Sequence, residues 1–230
     1  MGEIVEFESN GKTAEGYLAL PDGRGPGVIV IQEWWGLVGH IKEVADRFAS
    51  QGFVALAPDM YHGQETKEPD EAEKMMMALD TERAAKDLSG AVGYLHGRDE
   101  VGPKKVGSVG FCMGGALSLW LASIAPIDAA VIYYGGPFKV QPDYSKITGA
   151  ILGHFAEHDE WASPEYAEGL FGDLRSAGLA ADYHVYAGAT HAFFNDTSPQ
   201  ENPKRVGSHD EQAAQKSWER TMEFFRKHLA

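Results

Sequence analysis

Residues 105–109, Lys-Val-Gly-Ser-Val, run straight into Gly110-Phe111-Cys112-Met113-Gly114-Gly115, and residues 116–122 continue as Ala-Leu-Ser-Leu-Trp-Leu-Ala. A strand, a glycine-flanked tip and an apolar helix in direct succession imply a sharp strand-to-helix elbow with Cys112 at its apex. Glycines on both sides admit a backbone approach that any Cβ would block. Cys112 is the chain's one cysteine. A lone cysteine can be a small buried apolar side chain, but at a helix N-terminus, where the dipole favours an anion, it reads as a nucleophile. One cysteine also excludes an intramolecular disulfide, a CxxC redox pair and a cysteine-rich zinc site, and is compatible with a reducing cytoplasm.

The rest of the chain supplies the sheet such an elbow needs. Ile4, Val5 and Phe7, then Asn10-Gly11, then Ala14, Tyr17, Leu18 and Leu20 read as a β-hairpin. Residues 21–27 read as a loop, and residues 28–31 as a continuous apolar strand suited to burial on both faces of a parallel sheet. Helix 40–51 is stopped by Gly52; strand 53–57 ends at Pro58. Helix 81–96, strand 105–111, strand 129–134, strand 150–155, helix 164–177 opened by Pro164, strand 182–186 and helix 211–228 follow. Repeated strand–helix units predict an α/β architecture over residues 1–230 as one domain. Its sheet is mostly parallel and doubly wound, with helices on both faces and the antiparallel hairpin at one edge.

A thiol attacks carbonyl carbon as thiolate and needs a base, because free cysteine titrates near ~8.5. Of nine histidines, His191 in Gly188-Ala189-Thr190-His191-Ala192-Phe193 falls in the expected loop after the last strand. His184 lies inside that strand, and His209 and His228 are placed with the closing helix. The histidine needs an acid to hold its tautomer. Ala156-Glu157-His158-Asp159-Glu160 offers Asp159 as first choice, with Glu157 and Glu160 as alternatives. His154, His158 and Asp159 lack a second cluster at ligand spacing, so no metal is expected. The oxyanion requires backbone N–H donors, expected from Met113 and Trp34. Glu33 stands in the same loop as Trp34, where a buried carboxylate would need a partner.

Together these residues resemble the dienelactone hydrolase family of the α/β-hydrolase superfamily. The likeness rests on Gln32-Glu33-Trp34-Trp35-Gly36, Ala57-Pro58-Asp59-Met60-Tyr61, the elbow, Asp159 and the His191 loop, and it spans essentially the whole chain. It implies a cysteine-dependent ester or lactone hydrolase with Cys112 as nucleophile, His191 as base, Asp159 as its orienter and Glu33 as a carboxylate gating the thiol. In such enzymes the resting cysteine is held protonated, and substrate binding lets the glutamate take its proton. One departure concerns the arginine that the family uses, four residues after the histidine, to bind a substrate carboxylate. Here that position is Asn195, which points to a neutral ester or lactone. Alternatives on the same fold are thioester hydrolysis, acyl transfer, or a non-catalytic small-molecule-binding protein.

Trp34, Trp35, Trp161, Phe193, Phe194 and Asn195 are expected to wall the substrate pocket. Three adjacent methionines, Met75-Met76-Met77, precede the helix starting at Thr81, where a lid would lie; they cannot all face one way on a helix. Lys and Arg total 20 against 34 Asp and Glu, a net charge of −14. That balance provides no basic stripe for nucleic acid and disfavours an anionic membrane surface. Without an apolar run near ~20 residues or a signal segment, the expected setting is cytoplasmic, as a monomer or weak homo-oligomer.

Overall fold

In the computed structural model, which describes residues 1–198, 200–204 and 207–230, the chain opens with strands β1 (Glu3–Ser9) and β2 (Lys12–Ala19). Then come β3 (Gly25–Ile31), helix α1 (Gly39–Ser50), β4 (Val54–Pro58), α2 (Pro69–Ala78), α3 (Thr81–Gly97), β5 (Val101–Phe111) and α4 (Met113–Ile124). The last part comprises β6 (Ala129–Tyr133), β7 (Ala150–His158), α5 (Pro164–Ser176), β8 (Ala181–Thr190) and α6 (Glu211–His228). Among the described residues one eight-stranded sheet forms, in the order β1-β2-β4-β3-β5-β6-β7-β8. β1 pairs antiparallel with β2, and β2 with β4. The remaining pairings are parallel.

Side-chain alternation along the central strands divides the core into two halves. Ile29 and Ile31 of β3 pack with Leu88 of α3, Leu117 of α4 and Phe171 of α5. Val28 and Val30 turn to the other face, against Ile41 and Phe48 of α1 and Phe225 of α6. Phe48 joins these last two helices, with its ring 4.7 Å from Trp218 and 5.9 Å from Phe225. Burying each such side chain contributes about 1.5–3 kcal/mol. Both faces are therefore occupied, and the continuous apolar runs read from the sequence are the strands of a covered sheet.

Several boundaries differ from the sequence reading because hydrogen-bonded neighbours extend the strands. Residues 25–27, expected in a loop, begin β3: Gly25 pairs with Val101 and donates its N–H to Glu100 O at 3.0 Å. A Cβ on Gly25 would fall 1.7 Å from Gly52 O, so this glycine serves close packing. Strand β7 continues through His158 and β8 through Thr190, joined past an irregularity by the pairing of His158 with Thr190. Residues 188–190 are therefore strand, and Glu157 is on β7. His209 precedes α6, whose N-cap is Asp210. These extensions place Glu33, Cys112, Tyr134, Asp159 and His191 one or two residues beyond the C-terminal ends of β3, β5, β6, β7 and β8. That is the edge where an open parallel sheet offers its crevice.

Candidate active site

The elbow is as tight as its glycines require. Cys112 has φ 56° and ψ −120° and is the N-cap of α4. Its N–H donates to Tyr133 O at 3.0 Å, and its carbonyl accepts from Gly115 N–H at 2.9 Å. A Cβ on Gly110 would meet Gly114 O at 1.8 Å, and one on Gly114 would meet Ile31 O at 2.4 Å. Of the five described non-glycine residues with positive φ, three lie here: Cys112, Tyr134 and Ala192. Strain of this kind persists only where the surroundings over-determine it, and its concentration at one place marks the site.

His191 Nδ1 lies 2.7 Å from Asp159 Oδ2, and the ring lines the same cavity as the Cys112 thiol. Asp159 Oδ1 accepts from the backbone N–H groups of Trp161 and Ala162 at 3.0 and 2.9 Å. Burial alone would raise the Asp159 pKa, but the His191 contact and these two N–H donors bring it below the ordinary carboxylate value. For His191 burial acts downward, yet the charge of a Cys112 thiolate and the bond to Asp159 outweigh it and raise its pKa to about 10. The ring is edge-on to Tyr134 at 5.0 Å and to Trp161 at 5.6 Å. Glu157, an alternative acid, accepts from Gly188 N–H at 2.8 Å, and the exposed Glu160 lines the cavity mouth.

Glu33 is 1% exposed, so its carboxylate is buried rather than solvated. Its Oε1 accepts from Tyr134 Oη at 3.2 Å and its Oε2 from Asn195 Nδ2 at 2.6 Å. Burial, then the charges of Glu33 and Cys112, push the Tyr134 pKa well above its ordinary value, which keeps the hydroxyl a donor. Tyr61, also raised first by burial and then by Cys112, donates to Met113 Sδ at 3.3 Å.

A cavity of about 420 Å³ opens above the thiol, lined by Cys112, His191, Asp159, Glu33, Trp34, Trp35, Trp161, Met76 and neighbouring loop residues. Three of the six residues expected in the pocket wall, Trp34, Trp35 and Trp161, are thus there. Phe193, Phe194 and Asn195 are not among its lining: Phe193 is fully buried against Tyr134 and Tyr186, Phe194 is buried and stacked on Phe111, and Asn195 is 4% exposed behind Glu33. Ala192, directly after His191, has a positive φ of 59°, and the three residues from Phe193 to Asn195 that follow it are buried. The methionines of α2 divide: Met76 faces the cavity, Met75 packs on the core and Met77 is exposed. Tyr134 is the site residue that the sequence reading missed; it stood in the open as the end of a predicted strand, with no motif to mark it. Among the described residues no group of three or more His, Cys, Asp or Glu could hold a metal ion, and no helix is long and apolar enough to cross a membrane.

A sequence profile of the Dienelactone hydrolase family matches residues 14–229. Protein usf of Aquifex pyrophilus is 40% identical over the full length of both chains. A protein of Aquifex aeolicus named "Putative carboxymethylenebutenolidase" is 36% identical, again over all of both chains. Among solved structures, a dienelactone hydrolase-like promiscuous phosphotriesterase from metagenomic libraries superposes with a TM-score of 0.87 at 26% identity, covering 100% of this chain and 99% of its own.

Proposed function

This chain belongs to the dienelactone hydrolase family, and on that premise we propose that it hydrolyses ester or lactone bonds through a Cys112–His191–Asp159 triad and an acyl-thioenzyme. The observation that carries the reading is the 2.7 Å bond from His191 to Asp159, with the thiol at the apex of the elbow lining the same cavity as that ring. A thiolate attacks the carbonyl carbon, and the carbonyl π-electrons move to oxygen. Backbone N–H groups of Met113 and Trp34 are the donors proposed for that oxyanion. As the tetrahedral species collapses, the C–O bond to the leaving group breaks, and imidazolium His191 delivers its proton to the departing alkoxide. Neutral His191 then takes a proton from water, hydroxide adds to the thioester carbon, and expulsion of the thiolate releases the acid.

Asp159 stays ionised throughout, holding Nδ1–H and stabilising the imidazolium. The cavity's tryptophan walls supply apolar surface for the substrate's carbon skeleton. The deciding experiment is turnover of a chromogenic ester and lactone panel by wild type and Cys112→Ala. The variant is expected to lose ~10³-fold or more in kcat. Near-wild-type turnover by the variant would refute the mechanism.

A further inference from the structure

Glu33 is a buried carboxylate whose two oxygens are both held, and both donors are neutral. The grip of Asn195 is directional: its Oδ1 accepts from Thr197 N–H at 2.9 Å, which turns its amide N–H groups toward Glu33. A flipped amide would lose both bonds and set oxygen against oxygen. A cationic partner would cancel the Glu33 charge; an amide and a phenol stabilise it and leave it in place. That charge borders the cavity beside Cys112. Of the described residues lining the cavity, Glu33, Asp159 and Glu160 are carboxylates and none is lysine or arginine. The remaining wall is chiefly apolar, from Trp34, Trp35, Trp161 and Met76.

We propose that the site selects acyl groups that carry no charge, and that Asn195 is the positioning residue enforcing this by holding Glu33 as a fixed carboxylate beside the nucleophile. The inference rests on the proposed role of Cys112. Asn195 does not line the cavity; it acts through Glu33. A substrate carboxylate about 6 Å from that charge, at an effective dielectric near ~20, is disfavoured on the order of a hundredfold. Neutral esters and lactones meet no such opposition.

The test compares 4-nitrophenyl hexanoate with mono-4-nitrophenyl adipate, which share leaving group and acyl length and differ in the terminal carboxylate. Wild type is expected to favour hexanoate in kcat/KM by tenfold or more. Glu33→Gln, which removes the charge and keeps the size, is expected to reduce that ratio at least threefold. Asn195→Leu takes away the shorter of the two donors that fix the Glu33 carboxylate beside the nucleophile, and is expected to reduce the ratio as well. Cys112, His191, Asp159, Glu160 and His158 also face the cavity, and Tyr134 faces Glu33; all are common to both proteins and drop out of the comparison. A wild-type ratio within threefold of unity, or one favouring adipate, overturns the proposal. So does a ratio unmoved by both substitutions. Cys112→Ala on both esters separates the two readings: turnover without the thiol removes the nucleophile, whereas loss of turnover alongside a preference for adipate removes only the selection of neutral acyl groups.

Discussion

Two enclosed histidines, His154 and His191, have opposite electrostatic fates. His154, within β7, is fully buried; its Nδ1 meets Tyr186 Oη at 2.9 Å and its Nε2 meets Thr221 Oγ1 at 3.0 Å. Burial first, then His184 and the Arg220 guanidinium, push its pKa well below the ordinary imidazole value, so it is held neutral. His191, half-buried, has a carboxylate on Nδ1 and lines the same cavity as the Cys112 thiol; although burial acts downward, the Cys112 charge and the bond to Asp159 raise its pKa to about 10. Desolvation acts downward on both. What separates the structural histidine from the proposed base is the charge of the groups around it.

The sharpest way to break that contrast is to delete each ring. His191→Ala is expected to cost ~10³-fold or more in kcat while the fold survives, and combining it with Cys112→Ala should add little, because groups acting as one unit are not additive. Multiplicative losses in single-turnover assays would show that the two do not share a step. Next in size, Asp159→Asn should lower kcat ~10²–10⁴-fold by releasing the tautomer, whereas Glu157→Gln, whose carboxylate meets Gly188 N–H and the exposed His158 ring but not His191, should leave kcat near wild type. The reverse order would reassign the acid.

His154→Leu should behave oppositely, with turnover per folded molecule kept and stability reduced by about 1–3 kcal/mol as Tyr186 and Thr221 each lose a buried partner. Its pH signature has a definite sign. A histidine whose folded pKa is depressed stays unprotonated in the native state while the unfolded chain takes up a proton below about 6.5. Stability is therefore full above that value and falls with pH beneath it; His184, depressed first by burial and then by Arg220, acts in the same direction. Urea denaturation between pH 7 and 5 should show a flatter acid limb for His154→Leu than for wild type. The smallest effect belongs to Tyr186→Phe. It removes one hydroxyl that bridges His154 Nδ1 and Arg220 Nη1, at 2.9 and 3.2 Å, and is expected to cost about 1 kcal/mol with kcat unchanged.

The reading of the elbow came from six adjacent residues because its causes are local: glycines where a Cβ would strike backbone, and a helix that begins at once. His191 and Asp159 could be proposed from their places after successive strands. Strand lengths could not, since β7 and β8 extend through their mutual pairing, which is a property of neither segment alone. The choice between Asp159 and Glu157 was open for the same reason. Asp159 lies just past the end of β7 and reaches His191, whereas Glu157, still within the strand, turns to Gly188.

Periodicity, punctuation and the order of chemistry-bearing residues were enough to determine a parallel sheet with a cysteine at its elbow, because each depends on contacts within a few residues. What Glu33 is bound to was decided only in three dimensions. Tyr134 and Asn195 lie 101 and 162 positions away, and converge on it because β3, β6 and β8 end at one edge of the sheet. From sequence, Asn195 was a candidate wall of the pocket; folded, it is the neutral clamp on a buried charge. A buried carboxylate must find donors wherever the fold provides them, and that requirement is met by topology, not by any local pattern.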